Sequence, residues 1–246
     1  MICHSETRIA IAANMRGFTL IELAVTLFII TLVLGSILVP LASQVEQRQI
    51  SDTRKSLDEI KEALIGFAIA NGHLPCPAIS ATDGREDRAG AACSSVAGVP
   101  KRQGFIPWAT LGVSKLDAWG HIFRYSVTPA YTTSAPFALT TGRDITVQTR
   151  DAAGALINLT TGGDIPAVVF SHGKNGYGGF DENGNAQAPP PAGNVDENTN
   201  LALAGPTYVS RVPQSATGGG GEFDDIVVWL SPNILFNRMV AAGKLP

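Results

Sequence analysis

The pattern of apolar and polar positions changes character along the first third of the chain. From Leu23 to Leu41 no charged residue occurs, and after Glu22 the next charge is Glu46. A run of that length is close to the roughly 20 apolar residues that span a bilayer, so it predicts a membrane-spanning helix. Beyond it Ile50, Thr53, Leu57, Ile60, Leu64 and Phe67 recur at helical spacing among Arg48, Asp52, Lys55, Asp58 and Glu62. That is one apolar stripe on an otherwise polar helix, and Asn71-Gly72 supplies its stop. The two patterns predict one long helix from Phe18 to Ala70, its first half in an apolar medium and its second half covered by a globular domain.

His73 to Thr110 reads as a long irregular connection. Short strand-like runs follow, at Ile122–Val127, Ile145–Thr149, Ala155–Leu159, Ala167–Ser171, Thr207–Arg211 and Ile226–Leu230. Gly173–Asn200 is rich in Gly, Asn, Asp and Pro and reads as an exposed loop. Ser231-Pro232 is a good start for a short terminal helix over Asn233–Ala242, closed by Gly243. The order predicts an α+β fold, a long N-terminal helix packed on an antiparallel β-sheet domain.

Composition narrows the function classes. A net charge of −3 and a pI near 5.8 offer no footprint for nucleic acid. Charged residues make up only 16% of the chain, which suits a loop-rich exported domain. Glu22 is the anomaly, an acid at the edge of an apolar helix and by default a functional candidate.

The stretch Arg16-Gly17-Phe18-Thr19-Leu20-Ile21-Glu22-Leu23 resembles the leader junction of type IV pilins and type II secretion pseudopilins. In that resemblance a prepilin peptidase cuts between Gly17 and Phe18 and N-methylates the new Phe18 amine. Glu22 then meets a neighbouring subunit's N-terminal amine inside a filament, a pairing that offsets the cost of burying its charge. Leu116-Asp117-Ala118-Trp119-Gly120 resembles an Asp-Pro-Trp-Gly segment of major pseudopilins, with Ala118 in place of the proline. Ser171-His172-Gly173-Lys174-Asn175-Gly176 is similar to their Ser-x-Gly-x-Asp-Gly turn, and Asp225-Ile226 with Trp229 to their terminal strand. The chain is longer than typical major pseudopilins.

The resemblance divides the chain into a leader (1–17), a transmembrane or filament-core helix (18–41), the periplasmic half of that helix (42–72) and a periplasmic β domain (73–246). It implies a non-enzymatic filament subunit of the inner membrane, with other pilin subunits, the prepilin peptidase and an ATPase-driven assembly platform as partners. Cys3 falls in the leader, which leaves Cys76 and Cys93 as an even pair in an oxidising compartment, and they are expected to form a disulfide. The competing class is a single-pass anchored binding module or adhesin that never polymerises.

No cofactor is required by this reading, but calcium is a candidate. Several pseudopilins bind calcium near their last strand, where Asp225 falls. Asp181, Asn183 and Asn185 alternate oxygen side chains around Gly184, and calcium takes six to eight oxygens. Asn175 stands where the family has aspartate, one charge fewer. The same Asx pattern also caps its own turn. Catalysis by Ser171 and His172 is disfavoured, because neighbours on a strand point to opposite faces. Trp108, Trp119 and Trp229 are expected in the core, the indole N–H of Trp119 and of Trp229 finding a backbone partner.

Overall fold

The computed structural model describes residues 17–96, 98–202, 206–216 and 218–245, and of 36–41 and 96 the backbone alone. Contacts divide the chain into two compact units, Met1–Gln47 and Arg48–Pro246. The predicted leader falls on residues 1–16, outside the described ones, apart from Gly17.

Helix α1 runs over Leu20–Asn71, as the two successive apolar patterns require. In the first unit its large apolar side chains, Leu20, Ile21, Phe28 and Leu32 among them, are exposed. Among the described residues no helix is long and apolar enough to cross a membrane. The end of the predicted span, 36–41, lies outside the described side chains. In the second unit the stripe behaves as its spacing demands: Thr53, Leu57, Ile60, Leu64 and Ala68 are fully buried. Phe67 is only half-buried, and Ile65 and Ala68 carry the stripe on in its place. Gly72, at φ 80°, ends the helix in the left-handed conformation that glycine adopts without strain.

The connection from His73 onward is more structured than its sequence suggests. Two small hairpins, β1 (Arg88–Ala89) with β2 (Ala92–Cys93) and β3 (Ser95–Val96) with β4 (Val99–Pro100), precede β5 (Gln103–Phe105) and the short helix α2 (Trp108–Leu111). The predicted disulfide is present, Cys76 to Cys93 with Cα atoms 5.4 Å apart, and it ties β2 to the segment that leaves α1.

Strands β6 (Arg124–Val127), β7 (Thr146–Arg150), β8 (Leu156–Asn158), β9 (Ala167–Ser171), β10 (Thr207–Val209) and β11 (Ile226–Leu230) fall within a residue or two of the predicted runs. They form two sheets, not one. The main sheet, in the order β11-β9-β6-β5, is antiparallel throughout. The second, β10-β7-β8, joins β10 to β7 in parallel and β7 to β8 antiparallel. The wholly antiparallel expectation is corrected there: β10 and β7 are joined by a long connection, which a parallel pair needs and a tight hairpin cannot give.

Side-chain alternation explains the layering. Ala167 and Val169 of β9 join Tyr125, Val127, Ile226 and the α1 stripe in one core. Val168 and Phe170 face the other way and pack with Val147 and Tyr208 in a second core. All five residues of β9 are therefore buried, which is why its sequence is a continuous apolar run. Helix α4 (Pro232–Ala241) closes the first core with Leu235 and Met239.

The Gly173–Asn200 segment departs most from its prediction. It ends in helix α3 (Val195–Leu201), where Asp196, Glu197 and Asn200 are buried, with Asn194 buried just ahead of it. Polar residues go inside here because each finds partners. Asp196 pairs with Arg150 at 2.7 Å and with Arg211 at 2.7 Å. Asn200 donates to the Val209 carbonyl and accepts from the Val209 N–H.

Candidate functional site

Two places carry the chemistry singled out in the sequence, one in each unit. At the N-terminal end, Gly17 and Phe18 are exposed, Phe18 to 85%. Nothing lies within 4 Å of where a side chain at Gly17 would begin. Thr19 precedes the first turn of α1 and Glu22 stands three residues on. The Glu22 carboxylate accepts hydrogen bonds from the Thr19 N–H (3.0 Å) and hydroxyl (2.9 Å). The Glu22 N–H donates back to the Thr19 hydroxyl at 3.3 Å. This is the reciprocal arrangement of a capping box, which satisfies donors that a helix start leaves open.

In the second unit the three short motifs converge at one end of the main sheet, where β6 and β11 begin and β9 ends. Asp117, Ala118, Trp119 and Gly120 form a turn ahead of β6. Asp117 accepts the Trp119 and His121 N–H groups, each at 2.9 Å, and Gly120 takes φ 86°. The other Asp117 oxygen accepts the Ser171 hydroxyl at 2.5 Å, and Ser171 in turn accepts the Gly173 N–H. That binds the first motif to the second. Asn175 donates its N–H to Asp224 at 2.7 Å, which binds the second motif to the third.

Behind the turn lies a group that the sequence reading missed. Glu197, Asp224 and Asp225 bring a carboxylate oxygen each to within 4.8 Å of one another. Glu197 accepts the side-chain amides of Asn175 and Asn194, at 2.8 and 2.9 Å. Asp225 accepts Asn200 at 2.7 Å. Burial pushes the Glu197 carboxyl up, against the amide hydrogen bonds, with Asp225 adding to the rise. Asp224 is pushed up to about 7, by burial first and then by Asp225, Glu197 and Glu222, while the Asn175 N–H pulls the other way. One Asp224 oxygen, Oδ1, is buried with no hydrogen-bond partner. The buried His172 ring also lacks hydrogen bonds, its Nδ1 3.6 Å from Asp225.

An all-oxygen set with an orphaned carboxylate oxygen and excess negative charge fits a hard cation such as calcium. Of the residues expected around such an ion, only Asp225 is in this group. Asp181, Asn183 and Asn185 sit in an exposed hairpin turn, where Asp181 accepts the N–H groups of Asn183 and Asn185 and the Asn185 amide. Those contacts occupy Asp181 locally, as Asx turns do. A usable signal for Glu197 was present: Asn194-x-x-Glu197 has capping-box spacing, a helix start inside the supposed loop.

The remaining candidates are held by packing and local hydrogen bonds. Ser171 is engaged by Asp117 and makes no hydrogen bond to His172, whose ring meets Phe170 edge-on at 5.1 Å. Trp108 and Trp119 pack against the first core and Trp229 against the second. The Trp119 indole N–H is buried without a partner, which corrects the expectation of a backbone acceptor. Ring burial, not the N–H, holds that side chain.

Residues 12–38 match the family model of the prokaryotic N-terminal methylation motif. That segment carries a prepilin-type methylation motif. The match covers the Gly17-Phe18 junction, Glu22 and most of the apolar run, and the motif is the signature of a prepilin-peptidase substrate. No curated protein and no solved structure matches the chain.

Proposed function

We propose that this prepilin-like chain is a structural subunit, a pseudopilin or minor pilin, of a type II secretion or type IV pilus-like filament. The observation that carries the reading is the methylation motif set directly on an exposed apolar helix with Glu22 in its first turn. Exposed Phe18, Leu20, Phe28 and Leu32 suit a helix held by the inner membrane before assembly and by like helices afterwards. Moving such a helix from lipid into a bundle needs an energy source, hence the ATPase-driven platform in this reading. The β domain is periplasmic and forms the filament surface. Glu22 pairs with the Phe18 amine of the next subunit and sets register.

Calcium belongs to this reading as a stabiliser of the domain. Glu197, Asp224 and Asp225 would hold it, and the ion would supply the positive charge that their clustered carboxylates lack. No role is assigned to Asp181, Asn183 or Asn185. Nothing in this function calls for catalysis.

Intact mass spectrometry of the protein from its native membrane tests the reading. A species that begins at N-methylated Phe18 and carries the disulfide is expected. An uncut chain beginning at Met1 would overturn it in favour of an anchored binding module.

A further inference from the structure

Arg124, on β6, is 4% exposed, yet its Nε has no hydrogen-bond partner and no carboxylate pairs with it among the described residues. Its guanidinium carbon lies 5.1 Å from the centroid of Phe105 and 5.7 Å from that of Phe180. Those two rings meet edge to face at 4.9 Å. Aromatic faces offset only part of the cost of burying a charge. The other buried or half-buried arginines of the domain solve the problem differently: Arg150 and Arg211 share Asp196, and Arg102 pairs with Asp144. Arg124 alone of these four lacks an anion among the described residues.

The side chain lines a cavity of about 350 Å³, within the range of small-molecule sites. Its other walls are Phe180, Ala186, Gln187 and Pro189 from the loop after β9, Leu201 at the end of α3, and Gly178. That loop is braced by its own backbone bonds, Gly178 N–H to Ala188 and Gln187 N–H to Gly179. The cavity is therefore a built one, apolar on nearly every side, with a single buried cation.

We infer that this cavity binds a small organic monocarboxylate with an aromatic or branched apolar body. The carboxylate takes the unpaired guanidinium of Arg124, which presents a planar fork suited to two parallel hydrogen bonds. The apolar body lies against Phe180, Pro189 and Leu201, and Gln187 offers a side-chain amide at the rim. A phosphate is disfavoured because it carries nearly two charges at neutral pH and the lining holds one cation. This site is separate from the carboxylate group at Glu197 and from the filament helix, and it gives the subunit a ligand-sensing or ligand-carrying role beyond assembly.

The test uses the mature full chain in an uncharged maltoside detergent, with phenylacetate and its neutral amide, phenylacetamide, as probes in titration calorimetry. Phenylacetate is expected to bind at least tenfold more tightly than the amide. Arg124→Met should abolish that preference while keeping a cooperative thermal transition. If Arg124→Met does not fold, Ala186→Trp decides: its exposed position tolerates the ring, which should block the cavity and remove phenylacetate binding. Equal affinity for acid and amide, undiminished binding in Ala186→Trp, or no binding of phenylacetate would each overturn the proposal. Binding of a peptide with a free C-terminal phenylalanine in place of phenylacetate would overturn it in favour of a chain end as the occupant.

Discussion

Replacing Asp224 by asparagine should stabilise the calcium-free protein at neutral pH and leave it unaffected in acid. Asp224 titrates near 7 in the folded chain, pushed up from 3.8 by burial and by Asp225, Glu197 and Glu222. Below about pH 3 the carboxyl is mostly neutral folded and unfolded alike, so it costs almost nothing. As pH rises through the unfolded value the unfolded chain releases its proton and the folded chain keeps it. Stability therefore falls until the folded group also ionises, near pH 7. A gap of about three pH units corresponds to at most about 4 kcal/mol. Asparagine retains an acceptor for the Asn175 N–H, so the variant removes the charge and keeps that bond. Denaturant unfolding in chelator at pH 3 and pH 8 measures both. The variant should match the wild type at the lower pH and exceed it by up to about 4 kcal/mol at the higher. Added calcium should then narrow that gap, because at a hundredfold excess over its Kd a ligand adds about 2.7 kcal/mol to the form that binds it. An Asp224→Asn chain less stable than wild type at pH 8 in chelator would refute the electrostatic account. A gap unchanged by calcium would refute the ion.

The other predictions follow from contacts already described. Reducing the Cys76–Cys93 bond, which closes a loop of 17 residues, should cost about 3 kcal/mol on the chain-entropy account, seen as a lower denaturation midpoint in reductant; an unchanged midpoint would count against it. Gly17→Ala meets no neighbour and should leave the fold intact, yet it should accumulate an uncut precursor on immunoblots. Normal processing of that variant would argue against the junction. Glu22→Ala should leave the chain membrane-inserted but poorly assembled in cross-linking and filament-shearing assays, and wild-type assembly would sink the pairing with the neighbouring amine.

What the sequence made legible, and what it did not, divides by the kind of force that places a residue. Leu57, Ile60 and Leu64 were readable because burial of one helix face imposes a period, and β9 was readable because burial on both faces leaves an unbroken apolar run. The strand β5 was hidden inside a connection because Gln103-Gly104-Phe105 has no apolar alternation. Its pairing with β6 comes from the backbone. Asn194, Asp196, Glu197 and Asn200 read as surface for the opposite reason. Their hydrophilicity predicts exposure, and only long-range partners such as Arg150, Arg211, Val209 and Asp225 make burial tolerable. Resemblance points to Asp225 but not to Glu197, which is 28 residues away and joined to it by tertiary structure alone.

The same distinction bears on Glu22. A carboxylate in an apolar helix reads from sequence as an unmet cost awaiting a partner in the filament. In the single chain that cost is already partly met, because Thr19 donates to Glu22 through both its N–H and its hydroxyl. A neutral cap of this kind leaves the carboxylate's charge uncompensated, whereas a neighbour's ammonium would compensate it. The box therefore does not compete on equal terms with a neighbour's amine. It holds the carboxylate at the N-terminal end of α1, beside Phe18, where an amine freed by cleavage at Gly17 would arrive. Before cleavage the Phe18 nitrogen is an amide and carries no charge, so the same geometry offers nothing to a second subunit. On the proposed function, one chemical change at Phe18 would order processing before assembly, with no rearrangement of the helix required.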